Sequence, residues 1–344
     1  FAFTDEQRMI QETAQAFFTE NATSERTRAA MAGDGMDTRL WTDFCQELGL
    51  AGVALPEDIG GVGLGMVELA IIAEAAGAQV SAIPMLGHVM VTQALAEGGS
   101  DAQRERWIGA LSGGEAIAAA ALDADVAATG DTLSGTVRFV PHGALAHVLL
   151  IANGEGAWLV EAGAEGVAIT AHTTMDQTRP MATVKLSNVA SDPLPHPAAA
   201  IAAARAGGMI VLSAEALGGA QETLDRTVSY AKDRVQFGRA IGSFQAYKHR
   251  LADMMIEIEQ ARSAVYWAAC AVDEGTEEAA MALPSAKSFC ADTFFKCAGD
   301  MIQLHGGIGF TWEHDAHLFF KRARSIQTLL GHGAEHRETI ANLI

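Results

Sequence analysis

The chain has 344 residues, of which 49% are hydrophobic and 19% are charged, and its formal net charge is −19. This length and composition predict a globular protein of two or three domains. The acidic excess disfavours nucleic-acid binding, because phosphates would be repelled. The chain lacks a basic-then-apolar leader and an unbroken apolar run of about 18 residues, so we expect no signal peptide and no membrane insertion.

The cysteines favour a reduced, cytoplasmic protein. They are Cys45, Cys270, Cys290 and Cys297, and no pair forms a C-x-x-C motif or the regular spacing of a disulfide framework. Cys290 and Cys297 are seven residues apart and share one face of a predicted helix. We therefore expect reduced thiols in the core.

The first 112 residues read as helices, and we predict an N-terminal all-α domain over residues 1–112. Thr4 precedes two acidic residues, a pattern that favours a helix N-cap. Leu55–Gly65 forms a glycine-rich loop before a helix predicted to begin at Val67. A dinucleotide-binding fingerprint fails there, because Met66 stands where its third glycine is required and no strand precedes it.

Residues 113–197 change to the two-residue periodicity of strands, which predicts a middle β domain built as a barrel or sandwich. Glycine, asparagine or aspartate residues separate the apolar runs. A proline-rich stretch over residues 193–197 closes the domain. The predicted strands are Leu133–Val140, Ala146–Ile151, Ala157–Val160, Gly166–Thr170 and Thr183–Ser187.

Residues 198–344 return to helical periodicity and predict a C-terminal four-helix bundle packed by apolar stripes. The fold class is therefore α+β with several domains: an N-terminal helical domain, a middle β domain and a C-terminal bundle. The predicted long helices are Ala204–Arg234, Ser243–Asp273, Ala286–Leu304 and Ala316–Leu330.

Two glycine motifs in the C-terminal region are candidates for a ligand site. The first is R-V-Q-F-G-R-A-I-G-S-F-Q, from Arg234 to Gln245. Arginine offers a planar fork of donors that suits phosphate or carboxylate. Gly238 breaks the helix and permits close approach of the backbone to a ligand.

The second motif is Q-L-H-G-G-I-G-F, from Gln303 to Phe310, and it ends a long helical pattern. Backbone amides at adjacent glycines beside a glutamine amide suit a diphosphate. Taken singly, each motif is equally compatible with a simple helix end that has a C-cap glycine and a nearby cation.

Together, and in this order of domains, the motifs resemble the acyl-CoA dehydrogenase family, whose R-x-x-F-G and Q-x-x-G-G motifs hold the adenine-diphosphate half of FAD, often across a subunit interface. The loop L-P-E-D-I-G-G-V-G also resembles that family's L-P-E-x-x-G-G-x-G loop. The resemblance covers nearly the whole chain and is most specific over residues 230–310.

The resemblance implies an FAD enzyme that removes hydrogen from the α and β carbons of an acyl-CoA thioester and passes electrons to an electron-transfer flavoprotein. It implies a homo-oligomer or a pairing with a sister acyl-CoA dehydrogenase subunit. The residues carried over as cofactor-binding are Arg234, Phe237, Gly238, Gln245, Gln303, His305, Gly306 and Gly307.

The catalytic base departs from the family. One branch places a glutamate at the position of Leu330 and another at the position of Gly208, and neither residue can take a proton. Glu215 is the candidate substitute, seven residues beyond Gly208 and hence about 10 Å further along the helix. It is a buried base or a hydrogen-bonded structural acid, and the sequence leaves both open.

The middle domain departs as well. The family's T-E-P-G-A-G-S-D loop appears as the stretch 120–126, A-A-L-D-A-D-V, without glycine or serine. The family's W-I-T-N-G segment appears as F-V-P-H-G, where His142 either faces the flavin edge or lies in an exposed turn. These features resemble the partner subunits of heteromeric acyl-CoA dehydrogenases, in which a sister chain supplies the glutamate.

Two functional readings follow: an acyl-CoA dehydrogenase acting alone or as half of a heteromer, and a non-catalytic partner subunit that keeps part of the FAD site. Short-chain, branched, aromatic and steroid side-chain thioesters all remain open as substrates. The segment His332–His336 spells the H-x-x-E-H of a zinc peptidase. Glu338 is the sole acid downstream of it and no third ligand is obvious, so we predict no metal site.

Overall fold

The structure is a computed structural model that describes residues 2–344. It confirms the predicted order of helices, β-sheets and helices. The N-terminal helices are α1 (Asp5–Asn21), α2 (Ser24–Ala32), α3 (Thr38–Asp43), α4 (Met66–Ala78), α5 (Met85–Gly98) and α6 (Asp101–Ser112). Between α3 and α4 lie a π-helical turn (Phe44–Leu48) and two 3-10 turns (Leu50–Gly52 and Glu57–Ile59).

Thr4 caps α1 as predicted. Its side chain accepts from the backbone N–H of Gln7 at 3.2 Å, and the Gln7 side chain accepts from the backbone N–H of Thr4 at 3.0 Å. This reciprocal capping box satisfies two backbone donors that the first turn leaves open. The start of α4 uses a distant partner instead, because the carboxylate of Asp273 accepts from the backbone N–H groups of Met66 (2.7 Å) and Val67 (3.0 Å).

The middle of the chain forms two four-stranded sheets. The strands are β1 (Ala118–Ala121), β2 (Val126–Thr129), β3 (Thr132–Pro141), β4 (Val148–Asn153), β5 (Gly156–Glu161), β6 (Val167–His172), β7 (Met181–Ala190) and β8 (Asp192–Pro193). One sheet has the order β1-β4-β5-β8 and the other β2-β3-β7-β6. Buried residues of both sheets form one core, with Leu149, Ile151 and Val160 from the first and Leu133 and Val184 from the second. Of the two predicted forms, this is a sandwich.

The remaining chain is mostly helical. Its elements are α7 (Pro197–Asp233), β9 (Val235–Gln236), β10 (Arg239–Ala240), α8 (Gln245–Asp273), α9 (Ala279–His305), α10 (Ala316–Thr328) and α11 (Gly333–Ala341). Several predicted bounds shift. A 3-10 turn over Ile241–Ser243 precedes α8, and α9 begins before Pro284 rather than after it. By length and composition α7 could cross a membrane, but 72% of its most apolar stretch is buried inside the protein.

The described chain divides into two compact units. The first contains the chain up to Thr27, Met66–Ser81 and Met209–Ile344, and the second contains Arg28–Gly65 and Ala82–Gly208. In the first unit α1 packs against α4, α4 packs against α8, and α9 packs against α8, α10 and α11. The predicted boundaries at residues 112 and 197 stay a prediction.

Candidate functional site

The first glycine motif folds as a tight β-hairpin between α7 and α8. The turn consists of Phe237 and Gly238, whose φ angles are +53° and +77°, and β9 and β10 pair on either side of it. Positive φ at both central residues is the turn that fits the twist of a two-residue hairpin. Glycine adopts it without strain, whereas a phenylalanine does so rarely, and Phe237 is 92% exposed. Backbone strain of this kind concentrates at ligand sites.

The second motif ends α9 and opens into a 3-10 turn over Gly306–Phe310. Gly306 has a φ of +66°, which stops the helix. A side chain added at Gly306 or Gly307 would meet no atom within 4 Å, whereas one at Gly309 would lie 2.7 Å from the carbonyl oxygen of Ile302. The first two glycines therefore border open space, and the third is required by close packing.

Two tyrosines bring the motifs together at one end of the helical unit. The hydroxyl of Tyr247, at the start of α8, donates to the carbonyl oxygen of Leu304 at 2.9 Å. The hydroxyl of Tyr230, near the end of α7, donates to the carbonyl oxygen of His305 at 3.4 Å. The Tyr230 ring also stacks on the His305 ring, with 4.4 Å between the ring centres. We call the surface formed by Arg234–Gln245 and Gln303–Gly307 the glycine corner.

The glycine corner combines cations, open backbone and exposed aromatic rings. Arg234 is exposed, and the guanidinium of Arg239 lies 3.9 Å from the centre of the Phe244 ring. Lys248 adds an exposed cation one turn into α8. Basic groups are concentrated here against a chain of net charge −19. Such a combination suits a nucleotide, whose diphosphate takes the cations and amides and whose base takes an aromatic face.

The predicted cofactor residues differ in exposure. Gln245 begins α8 and Gln303 lies in the last turn of α9, and both side chains are exposed. His305 differs, because its side chain is only 4% exposed and lies beneath the backbone of the corner. The backbone after His305 therefore faces outward, and the imidazole ring does not.

Glu215 is buried in α7, with 3% of its surface exposed, where α7 crosses α4. A side chain at Gly77 of α4 would lie 2.5 Å from the Cα of Glu215. One at Gly218 would lie 2.8 Å from the carbonyl carbon of Glu74. The two glycines let the helix backbones touch, so Glu215 sits inside a tight crossing of helices.

A second acid in that crossing was missed by the sequence analysis. Glu74 accepts from the guanidinium of Arg262 in a short charged contact and from the hydroxyl of Tyr266 at 2.6 Å. A second guanidinium nitrogen of Arg262 donates to the side-chain oxygen of Gln221 at 3.1 Å. Burial, and then the charge of Glu74, raise the pKa of the Tyr266 phenol. The one sequence signal was an acid in an otherwise apolar helix, A-I-I-A-E-A-A-G.

The loop that carries the family's glutamate position keeps a defined shape. Leu330 has a φ of +54° and Gly331 a φ of +101°. The ammonium of the buried Lys287 lies 3.4 Å from the carbonyl oxygen of Gly331. Burial lowers the pKa of Lys287 to about 8. Gly208, the other family position, is a buried residue of α7.

The H-x-x-E-H segment starts a helix. His332 is the N-cap of α11, and the Glu335 carboxylate accepts from its backbone N–H at 3.0 Å. His336 is buried. Within residues 2–344 no group of three or more histidines, cysteines or acids could hold a metal.

Two segments singled out by the sequence, residues 120–126 and the F-V-P-H-G segment, lie in the second compact unit. His142 is 1% exposed, so the alternative of an exposed turn histidine was wrong. Phe139 lies where the β3–β7 register slips, has a φ of +58° and is 63% exposed, because the bulge turns its side chain outward. In the β1–β2 turn, Asp123 accepts from Arg205 at 2.8 Å.

Comparison with known proteins gives two family matches. Residues 4–115 match the model described as acyl-CoA dehydrogenase, N-terminal domain, and residues 199–344 match acyl-CoA dehydrogenase, C-terminal domain. Among curated relatives, acyl-CoA dehydrogenase IpdE2 of Mycobacterium tuberculosis is 38% identical over 330 residues, which cover 95% of this chain and 93% of the relative.

Solved structures are similar over the same length. A variant of the Tcur3481-Tcur3483 steroid ACAD superposes with a TM-score of 0.90 at 30% identity, covering 98% of this chain and 97% of that chain. The ChsE4-ChsE5 complex from Mycobacterium tuberculosis superposes with a TM-score of 0.91 at 26% identity, covering 99% and 97%. The last two names each describe a pair of chains.

Proposed function

This chain belongs to the acyl-CoA dehydrogenase family, and on that premise we propose that it takes part in the α,β-dehydrogenation of an acyl-CoA thioester to the trans-2-enoyl-CoA. The family is one of oxidoreductases, and its cofactor is FAD. The observation that carries the proposal is the glycine corner, where the two cofactor motifs meet through the Tyr247 and Tyr230 hydrogen bonds.

The residues of the glycine corner fit the adenine-diphosphate end of FAD. Open space surrounds Gly238, Gly306 and Gly307, so a phosphate can approach their backbone. Arg234 is exposed and enters no salt bridge within the described chain. We assign the diphosphate to Arg234, Gln245, Gln303 and the amides after His305, and the adenine to the exposed ring of Phe237.

The reaction needs a hydride acceptor and a base. The chemistry that bound FAD supplies is acceptance of the hydride from the β-carbon. This chain's own part at the corner is to hold the nucleotide and orient it. The carboxylate that removes the α-proton must reach it at about 3–3.5 Å.

We propose that a sister subunit supplies this base, so that the chain works as a partner subunit. Leu330 and Gly208 stand at the two family positions and carry no ionisable group. Glu215 is held inside the α4–α7 crossing, where Gly77 packs against its backbone. This is the place of a structural acid rather than of a residue that meets substrate. The paired chains named in the similar steroid ACAD and ChsE4-ChsE5 structures support the same assembly.

The finer assignments follow from the family and its relatives. We propose that electrons pass to an electron-transfer flavoprotein and that the protein works in the cytoplasm. Among the acyl groups left open by the sequence, the steroid ACAD among the structural relatives favours a steroid-derived thioester.

Nucleotide binding tests the cofactor assignment. Purified chain should bind FAD, measured by quenching of flavin fluorescence, and Arg234→Ala should weaken binding about tenfold or more because a charge-assisted contact is lost. The matched control is Arg8→Ala, which removes an exposed arginine paired with Asp5. Equal affinities of the two variants would contradict the site.

Anaerobic reduction tests the base assignment. Mixed with a panel of CoA thioesters, including steroid-derived ones, the FAD-loaded chain alone should keep its yellow colour, and bleaching should require the sister subunit. Bleaching by the chain alone would show that it holds its own base. In that case Glu215→Gln should abolish the bleaching if Glu215 is that base.

A further inference from the structure

A stack of rings lies directly beneath the glycine corner. Tyr230 of α7 and His305 of α9 stack at 4.4 Å with an angle of 20° between their planes. His314, in the segment before α10, lies on His305 with ring centres 4.5 Å apart and an angle of 50°. Two imidazoles this close repel each other when both are protonated, so the pair favours at most one charge.

Hydrogen bonds to backbone groups fix the tautomer of each histidine. The Nδ1 of His305 lies 2.8 Å from the carbonyl oxygen of Met301, which can only accept, so Nδ1 carries the proton. Its Nε2 is therefore the position that gains a proton. The Nδ1 of His314 accepts from the backbone N–H of Ala316 at 3.1 Å, so neutral His314 carries its proton on Nε2.

His305 directly precedes the backbone amides assigned to the diphosphate. Gly306 and Gly307 follow it directly in the chain, and the Cα atoms of His305 and Gly307 are at most about 7 Å apart. No described residue hydrogen-bonds to the Nε2 of His305. We propose that His305 takes up a proton when a nucleotide diphosphate binds at the glycine corner. This inference rests on the proposed function.

Among the ionisable groups that face this site, His305 is the one whose protonation responds to a bound nucleotide. From α7 it is faced by the Tyr230 ring, and from α8 Tyr247 approaches the same turn of α9. The pKa of Tyr247 is raised to about 12 by burial and by Tyr230, so this phenol stays neutral. Next to His314, Asp315 pairs with Arg226 of α7 at 3.1 Å, and Arg226 also pairs with Glu222 at 2.7 Å, so this cluster keeps one net negative charge.

Burial, and to a smaller degree His314, lower the pKa of His305 below its usual range, while its bond to Met301 opposes them. Without nucleotide it is therefore neutral near pH 7. An anion bound beside His305 favours its charged form. Affinity is then flat at high pH, rises as the pH falls between the pKa of the complex and that of the free protein, and is flat again below both.

The pH dependence of nucleotide affinity is limited because a single proton is taken up. Binding can gain no more than tenfold per pH unit, and we expect a total gain of about tenfold as the pH falls below 7. A general loss of negative charge on the whole chain also strengthens anion binding at low pH. The test must therefore compare variants.

The experiment is a calorimetric titration of the full chain with FAD and with ADP at constant ionic strength, in pairs of buffers whose ionisation heats differ. The heat difference reports protons taken up per nucleotide bound. His305→Phe keeps a ring for the Tyr230 stack but cannot be protonated. His196→Asn is the matched control, because His196 is exposed and belongs to the other compact unit.

We expect proton uptake below pH 7 and about a tenfold pH dependence of affinity in the wild type and His196→Asn. In His305→Phe most of both should be lost. Binding without proton uptake in the wild type would overturn this inference and leave the proposed function standing, as would equal uptake in His305→Phe. If neither FAD nor ADP binds at any pH, the cofactor assignment fails and this inference fails with it.

Discussion

Gly218→Ala is the sharpest test of the helix crossing that holds Glu215. A methyl group at Gly218 would lie 2.8 Å from the carbonyl carbon of Glu74 and 2.9 Å from the backbone nitrogen of Ala78, and closer still to the Glu74 oxygen. These are backbone atoms of α4 and cannot rotate away. The substitution can be accommodated only if the two helices separate.

The magnitude follows from the contact distances. Nonbonded heavy atoms are comfortable at about 3.5–4.0 Å, so α4 must move by roughly 1 Å. Overpacking of this kind costs about 1–3 kcal/mol, or more when backbone must shift. Replacing glycine inside a helix returns up to about 1 kcal/mol. Because the colliding atoms are backbone, the cost lies at the upper end of that range, and we expect a net loss of about 2 kcal/mol.

Gly299→Ala in α9 is the matched control. The nearest neighbour of the added methyl group would be an edge carbon of Phe320 at 3.9 Å, an ordinary contact. It should therefore stabilise the protein by up to about 1 kcal/mol through helix propensity alone.

Thermal unfolding followed by circular dichroism is the assay. For a chain of this length 1 kcal/mol shifts the midpoint by about 1–2 °C, so Gly218→Ala should melt about 3 °C below the wild type. Gly299→Ala should melt at or slightly above it. Similar midpoints for the two variants would refute the contact between the backbones of α4 and α7.

Two further perturbations test buried polar groups. Glu74→Gln should destabilise the protein by about 3 kcal/mol, because it removes the buried carboxylate beside Arg262 and leaves only the exposed Glu259, at 3.4 Å, as its charge partner. Asp5→Asn at an exposed pair should cost less than about 0.5 kcal/mol in the same urea titration. The second concerns His88, which burial holds neutral by lowering its pKa to about 4 and which lies 2.7 Å from the carbonyl oxygen of Ala51. Its stabilising effect is present above about pH 6.5 and is lost as the pH falls toward 4. His88→Leu should reduce the acid sensitivity of the melting midpoint over that range, and an unchanged sensitivity would exclude His88 as its source.

Local pattern was enough to predict most elements of this fold, but not the short strands β1, β2 and β8. The apolar periodicity located the long helices and strands β3 to β7, and Thr4 was recognised as a cap because its partner lies three residues away. The Phe237-Gly238 turn was predicted as a helix break but not as a hairpin. Its strands have two residues each, too few for a period to show.

The missed features depend on pairs of residues far apart in sequence. Glu74 and Arg262 are 188 residues apart, and the local sequence around either residue does not identify the other as its partner. The role of Gly218 and Gly219 was missed as well, because two adjacent glycines predict a less stable helix rather than a close contact between helices. In the structure Gly218 meets α4, and a side chain at Gly219 would lie 2.6 Å from the Phe294 ring.

The conformation of the loop at Leu330 does not depend on an acidic side chain at that position. A leucine at a φ of +54° is strained by about 1–2 kcal/mol. It persists because the surrounding contacts fix the loop: Lys287 reaches the carbonyl oxygen of Gly331, and Glu335 binds the backbone N–H of His332. None of these contacts uses the side chain of residue 330. The loop can therefore keep its form when an acid is replaced by leucine, so an intact fold and nucleotide corner do not require this chain to hold its own base.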